Sequence, residues 1–249
     1  MAVFSLIGFL LAGMIVCLVF FDASALSYLR ENQPTWNKNF CVQAFKQLGK
    51  VYVPVWLLLF WAWITGNHKT AIVCFLSLLI TMAAVSPVKA LVRRPRPKDV
   101  IKAETKIENE TKLSRNWSFP SGDTASVFAV GTVLAFAVRR PFILGLAACC
   151  GGIGILRVVD LAHYPSDVFG GAALGVFCGW AAIRIKNRYP GIENVFNGRE
   201  RMLSFIGVIL IPILIWRLQG IDKLIILLEF YAPIALIIAV VAKRQPRQT

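Results

Sequence analysis

The sequence is short of acid. Against 27 lysines and arginines it has 13 aspartates and glutamates, and charged residues of both signs make up only 16% of its 249 positions. A soluble domain carries about 25% charge, so an ordinary water-soluble globule is excluded. Disorder is excluded as well, because it needs low hydrophobicity and 57% of these residues are hydrophobic. Histidine is scarcer still, with His68 and His163 the only two. Six cysteines are present, but Cys17, Cys74, Cys149, Cys150 and Cys178 lie inside apolar runs without metal-ligand spacing. They read as small buried hydrophobes rather than a disulfide framework or a metal site. No internal repeat, heptad pattern or low-complexity linker divides the chain, which makes residues 1–249 one integral membrane domain.

What is present is a net charge of +14 on a very apolar chain. Charge alone would fit nucleic acid or anionic lipid, but the charges crowd between long apolar runs, as in a multispanning membrane protein. Eight runs qualify as spans: Val3–Phe21, Val51–Thr65, Ala71–Val92, Ser121–Val138, Pro141–Val159, Pro165–Ile185, Met202–Leu218 and Leu224–Ala242. They are near-continuous rather than alternating, so helices are expected and the fold class is all-α, a polytopic membrane helix bundle. The first run reads as a retained anchor, with a cleaved signal peptide the alternative. The second run is short; its Trp56, Trp61 and Trp63 suit a membrane interface, and Lys50 could snorkel outward. Gly171, Gly175 and Gly179 recur every fourth residue and predict a close helix–helix approach within the chain. Leaving out the Arg93–Arg115 loop, ten basic residues fall on the amino-terminal side of the membrane and six on the other, which favours a cytoplasmic amino terminus.

Three polar islands interrupt the apolar pattern at helix ends. The first is Lys89 to Pro97, where Lys89 lies a turn inside an apolar run and Arg93, Arg94 and Arg96 follow. Arg93 and Arg94 also fit a plain basic stop to a membrane helix. A charge at the depth of Lys89 is costly unless it faces a wet cavity or a partner. The second is Trp117-Ser-Phe-Pro-Ser-Gly-Asp123, a helix start whose free N–H groups suit either a cap or an anion. The third, Arg157 to Asp167, holds His163 with a carboxylate four residues on. Such a carboxylate fixes the histidine tautomer and frees the other ring nitrogen as a nucleophile. Topology brings the three islands to one membrane face and leaves His68 on the other. Cations, helix N–H donors and a His–Asp pair together suit phosphoryl transfer, and the partner they imply is a phosphate carried by a lipid, not nucleic acid.

These islands resemble the motifs of the type 2 phosphatidic acid phosphatase superfamily of membrane lipid phosphatases. Lys89 and Arg96-Pro97 fit the first motif with its spacing, Pro120-Ser121-Gly122 fit most of the second, and Arg157, His163 and Asp167 fit the third. The resemblance implies a six-helix core over about residues 51–185, with two further helices at about residues 202–242 outside it. It implies hydrolysis through a phosphohistidine without a metal or other cofactor. His163 would be the nucleophile and Asp167 its partner. Lys89, Arg96 and Arg157, with the backbone at Ser121 and Gly122, would hold the phosphate. The family's site faces away from the cytoplasm, which in a bacterial inner membrane is the periplasm or exterior.

Two positions depart from the pattern. Leu156 replaces a serine, and Asp123 replaces the histidine that in the family binds phosphate and protonates the leaving group. Asp123 is either a protonated acid that takes over the role or simply a helix cap. A missing acid matters least for a stable leaving group, so a polyprenyl diphosphate or a lipid A-type sugar 1-phosphate fits better than phosphatidic acid. Three other readings stand beside hydrolysis: a metal site built from Asp123, Asp160, His163 and Asp167; a protein that binds lipid phosphate without turnover; and a transferase passing the phosphate to another lipid. Asn109 and Asn116 match glycosylation sequons. Glu229, inside the last run, is expected to pair with Arg217 or face the bundle interior. Oligomeric state is left open.

Overall fold

The computed structural model describes residues 2–32, 34, 39–50, 52–66, 68–105, 117–138, 140–191, 199, 202 and 206–213. The last apolar run, Glu229, Arg217 and the sequon residues Asn109 and Asn116 lie outside the described residues.

Among the described residues all regular structure is helical. Ala2–Val16 forms α1, a π-helical turn follows at Cys17–Phe21, and Asp22–Glu31 forms α2. Next come α3 (Phe40–Gln47), α4 (Tyr52–Thr65), α5 (His68–Val92), α6 (Pro97–Thr105), α7 (Gly122–Ala137), α8 (Arg140–Val159) and α9 (Pro165–Arg188). Four segments are long and apolar enough to cross a membrane: Ala2–Glu31, His68–Glu104, Arg140–Val159 and Pro165–Arg188. The chain is an integral membrane protein. The second and fourth runs of the sequence became the shorter apolar helices α4 and α7.

Local chemistry sets the helix ends that matter. Hydroxyls within α5 bond back into their own helix, Ser77 to the Cys74 carbonyl and Thr81 to the Ser77 carbonyl, so these polar residues cost little inside it. The helix stops at Val92; Arg93 then adopts a positive φ of 50° and Pro97 opens α6. Ser121 caps α7, and Pro165 occupies the first turn of α9, where its missing N–H costs nothing.

The centre of the bundle is α9. Half of its most apolar window is buried, against 6% of that in Ala2–Glu31, whose Phe4, Phe9 and Phe20 face outward. On one side α1 contributes Leu10 against Ala172, Ala173 and Val176. On another, Ala182 joins Leu58, Cys74, Leu78 and Val133 from α4, α5 and α7. The expected close approach is made to α7. A Cβ on Gly171 would sit 2.5 Å from the Ser121 carbonyl oxygen and one on Gly179 2.6 Å from that of Ala129, while Gly175 lies against the carbonyl of Ala125. Small residues let the two backbones touch, which locks the start of α7 against the start of α9.

Three expectations are corrected. The first helical segment does not end at Phe21, because the helix continues past the π-turn to Glu31 and brings Asp22 into the protein, 5% exposed. Trp56 is not at an interface. It is 2% exposed, packs with Ala44 and Val53, and donates its indole N–H to the Val208 carbonyl at 3.1 Å. Lys50 does not reach outward to lipid headgroups but pairs with Asp123.

Candidate active site

Both α7 and α9 begin at the same end of the bundle, where α5 and α8 finish. His68 opens α5 and Lys89 lies near its other end, about 30 Å away at 1.5 Å per residue. His68 is therefore remote from the islands, as the topology required.

Asp167, fully buried in the first turn of α9, organises the site. One carboxylate oxygen accepts from the Tyr164 N–H at 2.9 Å and from the Ser118 hydroxyl; the other accepts from Arg94 at 2.8 Å. His163 presents Nδ1 to this cluster, 3.4 Å from Ser118 Oγ and 3.9 Å from Asp167 Oδ2. The imidazole stands in the turn between α8 and α9, whose amides are tied to the Arg157 carbonyl. Burial lowers the His163 pKa, the nearby Arg96 and Lys89 charges push the same way, and Asp167 opposes them. The neutral imidazole is thus favoured, with Nε2 as the nitrogen left for attack. A small cavity lined by Asp22, Leu26, Pro97, Leu161 and His163 adjoins it.

Arg94 is more than a basic stop. Besides Asp167, its guanidinium bonds Ser166 Oγ at 2.7 Å and Asp22 Oδ2 at 2.7 Å, and it stacks 3.8 Å over the Tyr164 ring. Asp22 also accepts from the Ser166 N–H at 3.0 Å and from its hydroxyl. Asp22, Arg94 and Ser118 therefore support the His–Asp pair, and sequence reasoning did not assign them. A lone carboxylate closing an apolar run was the available signal for Asp22. Nothing local separates Arg94 from Arg93, whose Nε bonds the Ala90 carbonyl of its own helix.

The phosphate-binding candidates gather beside this pair. Lys89 reaches the Trp117 carbonyl at 2.6 Å, and its Cε is 3.9 Å from the point where a Cβ on Gly122 would lie. Lys89 and Arg96 both feel the charges of Asp123 and Asp167. Arg157 is 7% exposed; it donates to the Lys46 carbonyl at 2.8 Å and contacts Asp123 at 3.2 Å, while its Nε has no hydrogen-bond partner. A buried guanidinium N–H left unsatisfied is expensive and fits an anion that is bound in the working state. Gly122 opens α7 beside Lys89, as a phosphate cradle requires. Ser121 departs from that role: its amide donates to the Asp167 carbonyl at 3.0 Å and its hydroxyl caps Thr124. It positions α7 against α9 instead of presenting an N–H to an anion.

Asp123 lies between two cations. One carboxylate oxygen is 3.1 Å from Lys50 Nζ and 3.2 Å from an Arg157 nitrogen. A carboxylate oxygen that accepts from Lys50 and pairs with Arg157 serves as their counter-ion, and these contacts do not favour the protonated-acid reading of Asp123. Lys50 gets there because Gly49 packs against Asp123; a Cβ on Gly49 would meet that of Asp123 at 3.0 Å.

The metal reading fails on the same contacts. Asp160 pairs with Lys46 at 2.6 Å, Asp123 with Lys50 and Arg157, and Asp167 with Arg94. Among the described residues, no group of three or more His, Cys, Asp or Glu converges as a ligand set.

Comparison with known proteins agrees with this geometry. Residues 70–190 match the family model described as the PAP2 superfamily. A lipid A 1-phosphatase of Rhizobium etli is 39% identical over 66 residues, 26% of this chain and 27% of that protein. One of Rhizobium johnstonii is 40% identical over 60 residues, 24% of each. The chain thus spans about a quarter of the length of these curated relatives. A crystal structure of Aquifex aeolicus LpxE superposes with a TM-score of 0.52 at 27% identity, covering 66% of this chain and 94% of that one. Residues 70–190, the segment that carries Lys89, Arg96, Arg157, His163 and Asp167, belong to the PAP2 superfamily, the type 2 phosphatidic acid phosphatases.

Proposed function

We propose that this protein is a membrane lipid phosphatase that hydrolyses a lipid-linked phosphate through a phosphohistidine on His163, with a lipid A-type sugar 1-phosphate as the substrate class. The observation that carries this reading is the setting of His163. Its Nδ1 faces Ser118 and Asp167, whose carboxylate is itself held by Arg94 and the Tyr164 amide. A protein that only binds phosphate has no need of an oriented neutral imidazole.

Lys89, Arg96 and Arg157 neutralise the phosphate oxygens, and the start of α7 at Gly122 offers N–H groups to them. The imidazole Nε2 attacks phosphorus, the bond to the lipid oxygen breaks, and Asp167 stabilises the charge that develops on the ring. Water then cleaves the P–N bond and regenerates the enzyme. The relatives' names support a lipid A 1-phosphate as the substrate. The distribution of basic residues outside the Arg93–Arg115 loop supports a site on the non-cytoplasmic side, periplasmic in a bacterial inner membrane.

The test is phosphate release in detergent from lipid A 1-phosphate, undecaprenyl diphosphate and phosphatidic acid, by wild type beside His163→Ala. Lipid A is expected to be the best of the three, and removal of the nucleophile should lower release about 10³-fold or more. Equal rates in the two proteins would overturn the reading. Labelled phosphate appearing on an acceptor lipid instead of in water would make the protein a transferase.

A further inference from the structure

We infer that Lys50 is a further catalytic residue, the acid that protonates the leaving oxygen in place of the histidine missing from the second motif. The inference rests on the phosphatase reading above. The reaction needs a donor on the leaving-group side, and neither remaining candidate serves: His68 is at the far end of α5, and Asp123 is the counter-ion of Lys50 and Arg157. The position of the missing histidine does, however, hold an ammonium. Lys50 Nζ is 3.1 Å from Asp123 Oδ2, and its side chain is 43% exposed while that of Asp123 is 21% exposed. The carboxylate is anchored on the first turn of α7 and presents the lysine at the mouth of the site. Arg157, ion-paired with the same oxygen at 3.2 Å, holds Asp123 in place.

The backbone around Lys50 is built for this placement. It ends a tight turn in which Gly49 N–H donates to the Lys46 carbonyl at 3.2 Å and Lys50 N–H to the Gln47 carbonyl at 2.9 Å. Gly49 lets that turn sit down on the site: a Cβ there would meet Asp123 Cβ at 3.0 Å and Ile153 Cγ2 at 3.1 Å. Lys46 fastens the preceding helix to α8 through Asp160 at 2.6 Å and, by its carbonyl, to Arg157. This α3 turn, remote in sequence from all three motifs, thus carries a cation to the one motif position that lost its acid.

The proton balance closes. As His163 Nε2 bonds to phosphorus and the P–O bond to the lipid breaks, the leaving oxygen takes a proton from the Lys50 ammonium, which becomes an amine. In the second step water attacks phosphorus, the P–N bond breaks, and the amine recovers a proton from that water. A lysine in this role also removes the restriction to stable leaving groups that an absent acid imposes. A simple lipid phosphomonoester then becomes accessible beside a sugar 1-phosphate or a diphosphate.

The experiment compares two substrates in the same micelles. The sugar oxygen of lipid A 1-phosphate leaves better than a simple alkoxide but still gains from protonation; the phenolate of 4-nitrophenyl phosphate needs none. In Lys50→Ala, turnover of lipid A 1-phosphate should fall about 10²–10⁴-fold, the usual range for a general acid, with less than a tenfold fall on the aryl phosphate. Lys50→Arg keeps the charge and the Asp123 pair but surrenders its proton poorly; it should fold normally and show the same selective loss. Asp123→His placed in the Lys50→Ala background should restore lipid turnover. Equal losses on both substrates, a fully active Lys50→Arg, or no loss at all would each overturn the assignment. Failure of the underlying phosphatase reading would look different, with wild type no faster than His163→Ala on either substrate.

Discussion

Replacing Gly171 with alanine tests whether the contact between α7 and α9 sets the catalytic geometry. The new Cβ would lie 2.5 Å from the Ser121 carbonyl oxygen and 3.3 Å from the Ser121 Cβ. Carbon does not approach backbone oxygen closer than 3.0 Å, so the helices must part by at least about 0.5 Å at this level. The neighbour is backbone, not a flexible side chain, and it cannot rotate out of the way. Ser121 also donates its amide to the Asp167 carbonyl at 3.0 Å, so the displacement falls on the link between the phosphate cradle and the His–Asp pair. Overpacking of this kind costs about 1–3 kcal/mol, and displacement by about 1 Å can cost about 10²-fold in rate. The expected result is a 10- to 100-fold fall in kcat/KM for lipid phosphate release. Gly179→Ala makes a similar clash, at 2.6 Å from the Ala129 carbonyl, but about 12 Å farther along the helix. It should lower thermal stability to a similar degree and change the rate less than about threefold. Detergent-solubilised protein, assayed for phosphate release and for thermal unfolding, supplies both readings. The reasoning is refuted if Gly171→Ala keeps wild-type kcat/KM, or if the two variants lose activity alike.

Removing the Arg94 guanidinium strands two buried carboxylates, so Arg94→Ala should cost about 3–5 kcal/mol and abolish turnover. Arg94→Lys should recover part of the stability but little rate, because a point charge cannot bridge Asp22, Ser166 and Asp167 at once; chemical denaturation beside the phosphate assay separates the two effects. His163 has its pKa lowered chiefly by burial, so its NMR titration in a His68→Gln background should have a midpoint below the ordinary value of about 6.5. Its neutral form therefore stabilises the fold above that value, and the stabilisation is lost as pH falls through the lowered midpoint. A midpoint at or above 6.5 would contradict the burial described for the imidazole.

The sequence displayed the helices and the His163–Asp167 pair for a physical reason: both are local. An apolar run long enough to span lipid has few other uses, and the spacing of His163 and Asp167 fits one turn of chain whether or not the rest is known. The glycine periodicity in α9 was legible because close packing leaves its mark on every fourth residue. The supporting residues were not legible, since each acts across the bundle. Asp22 meets Arg94 and Ser166 over separations of 72 and 144 residues. Lys50 meets Asp123 across 73 residues, and no pattern within either segment announces the partner. Trp56 was misplaced for a related reason. A tryptophan near the end of a short apolar run fits a membrane interface as well as a core, and only the contact with Val208 decides between them.

The π-turn at Cys17–Phe21 leads the first helix into Asp22, and that carboxylate has consequences for the order in which the protein is built. Asp22 leaves the ribosome before the groups that hold it: Arg94 follows 72 residues on, and the Ser166 amide closes an interval of 144 residues. At a synthesis rate of about 5–20 residues per second, the interval is about 7–30 s. Arg94 supplies a counter-charge halfway through that time, and the arrival of α9 adds the Ser166 amide and hydroxyl that complete the set around the carboxylate. A chain truncated before α9 therefore lacks more than Asp167: it leaves the carboxylate of the first helix with Arg94 but without the Ser166 donors.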